Sequence, residues 1–178
     1  MPEKRTTILK GKPVVLSGPE IKVGDKAPNF KLVPPHNRVE LSPTAKKVAL
    51  SQFPGKVRFI SVVPSLDTPV CDMSTKIFEQ KAEEYPDVAF FTISMDLPFA
   101  QHRYNEANAI HKSTVLSDYL DASFGVAYGV LMEKLRLHSR AVFVIDKNDT
   151  VRYVQYVPSV STPPDFDKAI AAVKKLIR

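Results

Sequence analysis

Residues 57–63, Val-Arg-Phe-Ile-Ser-Val-Val, form a β-branched and largely apolar run that Pro64 closes. Such a run reads as a strand buried on both faces, and proline cannot continue it. A strand of that kind needs neighbours on each side and layers above and below. The pattern recurs at 88–94 and 141–145, and residues 150–157 follow the last of these across the turn cluster Asp146-Lys147-Asn148-Asp149, so the pair reads as an antiparallel hairpin. Between and after the strands the apolar spacing becomes helical, at Met73, Ile77, Phe78, Ala82 and Tyr85, more loosely at Phe99, Tyr104, Ala107 and Ile110, and again at Phe166, Ile170, Val173 and Leu176. The alternation predicts an α/β chain with a central mixed β-sheet flanked by helices.

An N-terminal β-hairpin precedes this body: residues 6–10 and 13–17 are short β-type runs around Gly11-Lys12. The polar, proline-rich stretch 23–54 carries weaker strand signals at 30–33 and 39–41. A length of 178 residues suits one domain, 1–178, with a core that needs no disulfide or metal. No stretch approaches the roughly 18 apolar residues of a spanning helix, and the opening residues lack the apolar core of a secretory signal, so a soluble cytoplasmic protein is expected. The net charge is +6, but the 25 Lys and Arg are scattered. Nucleic-acid binding calls for a clustered patch, and a solvated basic surface is the simpler reading.

The single cysteine narrows the chemistry. It excludes an internal disulfide, a CxxC pair and a zinc site built from several thiolates. Cys71 acts alone or not at all, and a lone cysteine is more often inert packing than a nucleophile. Its context argues otherwise. Thr68-Pro69 is a helix start, with Thr as N-cap and Pro at the first helical position, which puts Cys71 at the third. There the free backbone N–H groups and the positive end of the helix dipole favour a thiolate, as in many reactive cysteines. The four histidines, His36, His102, His111 and His138, show no metal-ligand spacing on one helix face and read as surface or packing residues. Phe99, Tyr104, Phe124 and Tyr128 read as core or interface.

Pro64, Thr68 and Cys71 match the PxxxTxxC signature of the peroxiredoxins, and SVVPSLDTPVCD resembles their thiol peroxidase subfamily. LKGKPVVLSGPEIKVGDKAPNF, TISMDLPFAQHRY, TVLSDYLDASFGVAYGVL and SRAVFVIDKNDTVRYVQYVP resemble it too, in order along nearly the whole chain. The resemblance implies a thioredoxin-like fold and a thiol-dependent peroxidase for hydrogen peroxide and alkyl hydroperoxides. It makes Cys71 the attacking residue, Pro64 the shield over it, Thr68 a hydrogen-bond partner of sulfur and peroxide, and Arg140 the active-site arginine. Each has a plainer reading: Thr68 as a helix cap, Pro64 as a strand terminator, Arg140 as one more surface cation.

The subfamily's second, resolving cysteine would stand at Asn105, so the resemblance implies that Cys71 is reduced by an external thiol, thioredoxin or another. It also implies a homodimer joined near residues 99–104 and 123–128. No metal, flavin or haem is called for, since sulfur carries the redox change. The competing reading is a redox-sensing or binding protein on the same fold, with little turnover.

Overall fold

The computed structural model describes residues 5–36 and 46–178 of the chain. It opens on the expected hairpin, β1 (Thr6–Leu9) and β2 (Lys12–Val15). Leu9 pairs with Lys12, so the link is Lys10-Gly11, one residue earlier than expected, and both have positive φ, 48° and 75°. Two successive left-handed residues make a type I′ turn, whose twist suits a two-residue hairpin; glycine takes one of them at no steric cost. Within the next stretch β3 (Lys31–Leu32) forms at the expected 30–33, pairing with β4 (Val48–Ala49). The expected strand at 39–41 lies outside the described residues.

The body then runs β5 (Val57–Val62), α1 (Pro69–Glu84), β6 (Val88–Ser94), α2 (Pro98–Asn108), β7 (Thr114–Ser117) and α3 (Ser123–Ala127). It continues through the small ladder of β8 (Leu131–Met132) and β9 (Leu137–His138), then β10 (Ala141–Ile145), β11 (Val151–Tyr156) and α4 (Phe166–Leu176). The long runs read in the sequence are all present. β7, α3 and the β8–β9 ladder were not anticipated, because elements this short show no period. Five strands make the central sheet in the order β11-β10-β5-β6-β7. β5, β6 and β7 are parallel, while β10 runs antiparallel to both β5 and β11, so the sheet is mixed as expected.

Alternation along the strands feeds two cores. Val57 and Phe59 of β5, Val88 and Phe90 of β6, and Val142 and Val144 of β10 face one side, packed on Phe78 and Ala82 of α1 and on Ala169, Ile170 and Val173 of α4. Ile60, Val62, Phe91, Ile93, Phe143 and Ile145 face the other, against Phe30, Phe124 and Tyr128. Both faces are covered, which is why these strands read as continuous apolar runs rather than alternating ones. Removing one such large side chain from water contributes about 2 kcal/mol. The aromatic pairs add geometry: Phe59 and Phe78 meet edge to face at 4.5 Å, pinning α1 to β5. α4 starts at Asp165, whose carboxylate accepts the Lys168 N–H at 3.1 Å. No helix among the described residues is long and apolar enough to cross a membrane.

Candidate active site

The sheet topology brings distant residues to one edge. β5 and β6 are parallel with Val62 opposite Ile93, so the loop after β5 and the turn after β6 emerge side by side. β10 is antiparallel to β5 with Ala141 opposite Val62, so Arg140, one residue before β10, lies at the same end. Residues 64, 71, 96 and 140 meet there because the strands stop there. The C-terminal edge of parallel strands is where α/β sheets commonly place their chemistry.

Cys71 is fully buried, at the third position of α1 behind the N-cap Thr68 and Pro69. The first bond of the helix ladder runs from Asp72 N–H to the Thr68 carbonyl at 2.9 Å, so the amides of Val70 and Cys71 stand outside that ladder. Thr68 occupies the N-cap position, yet its side chain caps no helix amide. Its Oγ1 lies 2.7 Å from Cys71 Sγ and 3.2 Å from the Ser65 carbonyl oxygen. The hydroxyl faces the sulfur instead of the helix amides.

Arg140, by resemblance the active-site arginine and by its neighbours alone a surface cation, is only 2 % exposed. Its Nε donates to the Val160 carbonyl at 3.0 Å and its Nη2 to Cys71 Sγ at 3.2 Å. Its Nη1 is buried without a hydrogen-bond partner, and no carboxylate pairs with it among the described residues. A guanidinium so placed has a donor to spare beside the sulfur. Pro64 is buried at the end of β5, next to Val63. Val63 packs with Cys71, Leu66, Tyr104, Ile110 and Val115 in a small apolar cluster that walls the sulfur.

Two further groups stand at this edge: Tyr104, which reads in the sequence as core or interface, and Asp96, to which the sequence reading gives no role. Tyr104 of α2 donates to Asp72 Oδ1 at 2.8 Å, tying α2 to the first turn of α1. Burial, and then this bond to a carboxylate, raise the Tyr104 hydroxyl well above its usual pKa. Lys76 and Tyr104 hold the Asp72 carboxyl below the usual range. Asp96, in the turn between β6 and α2, accepts Ser65 Oγ at 2.7 Å and both Leu66 N–H and Ser94 Oγ at 2.8 Å. The available signal was an acid placed just past a buried parallel strand and just before the Leu97-Pro98 helix start. Asn105 is half buried in α2, and its Oδ1 has no hydrogen-bond partner among the described residues. His138, by contrast, is a packing residue, fully buried with Nε2 at 3.0 Å from Asp118.

The family profile described as Redoxin matches residues 22–170. The chain belongs to the redoxin family. This redoxin is 50 % identical over 166 residues to a thiol peroxidase of Halalkalibacterium halodurans, covering 93 % of the chain and 95 % of that protein. It is 46 % identical over 170 residues to the Bacillus subtilis thiol peroxidase, covering 96 % and 97 %. The crystal structure of a peroxiredoxin-like protein from Aquifex aeolicus is 40 % identical and superposes with a TM-score of 0.84 over 97 % of each chain. The redoxin therefore falls in the thiol peroxidase branch of the peroxiredoxins and has their thioredoxin-like fold, and its single cysteine leaves no resolving thiol within the 178 residues.

Proposed function

We propose that this redoxin is a thiol-dependent peroxidase in which Cys71 attacks hydrogen peroxide and alkyl hydroperoxides. One observation carries the reading: Cys71 Sγ sits between Thr68 Oγ1 at 2.7 Å and Arg140 Nη2 at 3.2 Å, beside a guanidinium that no carboxylate neutralises among the described residues. A Cys71 thiolate supplies the missing negative charge, and the breaking O–O bond passes it to the departing oxygen. Thiolate attacks the nearer peroxide oxygen, the O–O bond breaks, and its electron pair leaves with the distal oxygen, which takes up a proton to become water or an alcohol. Sulfur is oxidised by two electrons to the sulfenic acid. Arg140 Nη1 and Nη2 and the Thr68 hydroxyl are donors for the oxygens as charge develops, and they need no rearrangement to serve. Pro64 and the Val63 cluster keep water from the sulfur before substrate arrives.

With one cysteine, reduction comes from outside the chain. One external thiol displaces water from the sulfenic acid to give a mixed disulfide, and a second thiol releases Cys71. Thioredoxin or another small thiol fills that role in a cytoplasmic antioxidant enzyme of one domain. The protein works as a homodimer paired near residues 99–104 and 123–128. Leu97 and Val126, 50 % and 44 % exposed, are apolar surface that a second copy would cover, which supports that pairing. Phe124 and Tyr128 are fully buried and belong to the core behind it.

The test is peroxide consumption by the reduced protein in excess dithiothreitol beside Cys71→Ser. The parent is expected to turn over many equivalents and the variant none above background. A parent that consumes one equivalent or fewer removes the catalytic reading.

A further inference from the structure

The Thr68 hydroxyl meets two acceptors with one proton. While the sulfur is a thiol, S–H donates to Oγ1 and the hydroxyl proton is free for the Ser65 carbonyl; once the sulfur is ionised, the hydroxyl proton turns to it. In both states the Ser65 carbonyl accepts the Thr68 N–H at 3.3 Å, and while the sulfur is a thiol it also accepts the Thr68 hydroxyl at 3.2 Å. Where Thr68 points depends on where Ser65 is held. Ser65 lies in a loop between a strand end and a helix start, and the sheet does not fix it.

The group that fixes it is Asp96. Its Oδ1 accepts the Ser65 hydroxyl at 2.7 Å and its Oδ2 accepts the Leu66 N–H at 2.8 Å, so one carboxylate grips two consecutive residues of the loop. The Ser65 hydroxyl in turn accepts the Asp67 N–H at 3.3 Å, closing the turn that leads to Thr68. The carboxylate is itself braced. Ser94 Oγ donates to Oδ2 at 2.8 Å and accepts Gln101 Nε2 at 3.0 Å, and Gln101 is fully buried in α2. Ser117 Oγ at the end of β7 donates to the Asp96 carbonyl. Contacts from β6 on its carboxylate, from β7 on its carbonyl and from α2 through Ser94 thus converge on one residue, whose side chain grips the loop carrying Thr68.

We infer that Asp96 is a positioning residue for peroxide reduction: through Ser65 it holds the Thr68 hydroxyl against Cys71 Sγ, so that attack starts with that donor already in place. The inference rests on the peroxidase reading for its kinetic consequence but not for its geometric one. Charge alone predicts the opposite effect of removing Asp96. Deleting a negative charge near an anionic sulfur favours the anion and speeds attack, so a slower variant reports lost positioning.

The test uses full-length protein, reduced, as Asp96→Asn and Ser65→Ala. The second keeps the carboxylate charge and removes only the hydroxyl that Asp96 grips, and it serves alone if Asp96→Asn does not fold. Each is expected to react with hydrogen peroxide about tenfold more slowly than the parent. In Ser65→Ala, whose charge is unchanged, alkylation of Cys71 by iodoacetamide at the same pH is expected to stay within about twofold, because that reagent has no use for the Thr68 donor; in Asp96→Asn it is expected to hold or rise. In a Thr68→Val background, Asp96→Asn is expected to change the peroxide rate by less than about twofold, since the step it supports is already gone. A crystal structure of either variant is expected to show Thr68 Oγ1 beyond about 3.5 Å from Sγ. An unchanged or faster peroxide rate overturns the inference. So does slower peroxide reaction with faster alkylation in Ser65→Ala, which means that the pocket has merely opened, or a full tenfold cost in the Thr68→Val background. If the parent itself ignores peroxide, the peroxidase reading fails instead, and the Thr68 position in the variant structures decides the positioning claim by itself.

Discussion

Two arginines are buried at opposite ends of the same pair of strands, and they are used in opposite ways. Arg58, in β5, lies opposite Ile145 of β10; Arg140 lies at the other end, just before Ala141. Arg58 is fully buried and Arg140 nearly so. The Arg58 guanidinium donates to the carbonyls of Phe53 and Lys56 and pairs with Asp149 in the β10–β11 turn. Its charge is neutralised within the fold, and it stitches that turn to the loop before β5. Arg140 has one carbonyl and a sulfur, with no carboxylate among the described residues. A buried cation left short of a counter-charge destabilises the resting protein, and the fold tolerates that cost where an anion is to form. The same residue type, nearly equally buried, is a structural clamp where its charge is matched and, on the proposed peroxidase reading, an electrophilic handle where it is not.

Replacement separates the two. Arg140→Met is expected to lower kcat/KM for hydrogen peroxide by about 10²–10³-fold, the usual range for losing a preorganised donor to a developing oxyanion, equivalent to about 3–4 kcal/mol. The urea midpoint should stay at the parent value or rise, because an unneutralised charge has left the interior. Arg58→Met is expected to do the reverse. It forfeits two carbonyl bonds and a half-buried ion pair, and unfolding in urea should show about 3 kcal/mol less stability. Asp149 is nearly half exposed, so water solvates it after the change and holds the loss at the low end of the range for such pairs. The folded fraction should keep the parent's peroxide rate. If Arg58→Met loses activity as steeply as Arg140→Met while remaining folded, the division between matched and unmatched charge is wrong.

The same contrast marks what the sequence could disclose. The strands at 57–63, 88–94 and 141–145 were legible because burial on both faces leaves a continuous apolar signature, the half-buried edge strand at 150–157 because it follows a turn cluster, and the structure moves their ends by a residue at most. Thr68-Pro69 announced the start of α1 through local chemistry that needs no tertiary contact. Arg140 was legible only by resemblance: a cation beside Arg136 and His138 carries no mark of burial, since burial is conferred by strands far away in sequence. Asp96 went unread for a related reason. Its function is a set of hydrogen bonds to residues 65 and 66, and one-dimensional patterns hold no record of a contact across 30 residues. The hairpin link was misplaced because Gly11 fits either position of a two-residue turn, and pairing along the strands chose the register.

Glu79 gives the smallest and most discriminating version of the comparison, a buried charge matched by dipoles instead of an ion. Only 9 % exposed on α1, its carboxylate accepts the backbone N–H groups of His111, Lys112 and Ser113 and the Ser113 hydroxyl, all at 2.6–2.7 Å. Burial works against the charged form, but the bonds from Ser113, Lys112 and His111 outweigh it and hold the carboxyl below the ordinary glutamate range. A carboxyl depressed in the folded state stabilises the protein fully above its unfolded value, near 4.5, and that contribution is lost as pH falls through the folded value. Glu79→Gln is therefore expected to cost about 2 kcal/mol at pH 7, and the cost should shrink as the medium is acidified below about pH 4.5. Urea midpoints of parent and variant between pH 3 and 7 measure it. Asp72, Asp146 and Asp165 are also depressed and shape the parent's own acid sensitivity, so the readout is the difference between the two proteins. A difference that stays constant across that range would mean that Glu79 is held by packing, and that four aimed dipoles do not stand in for a counter-ion in this fold.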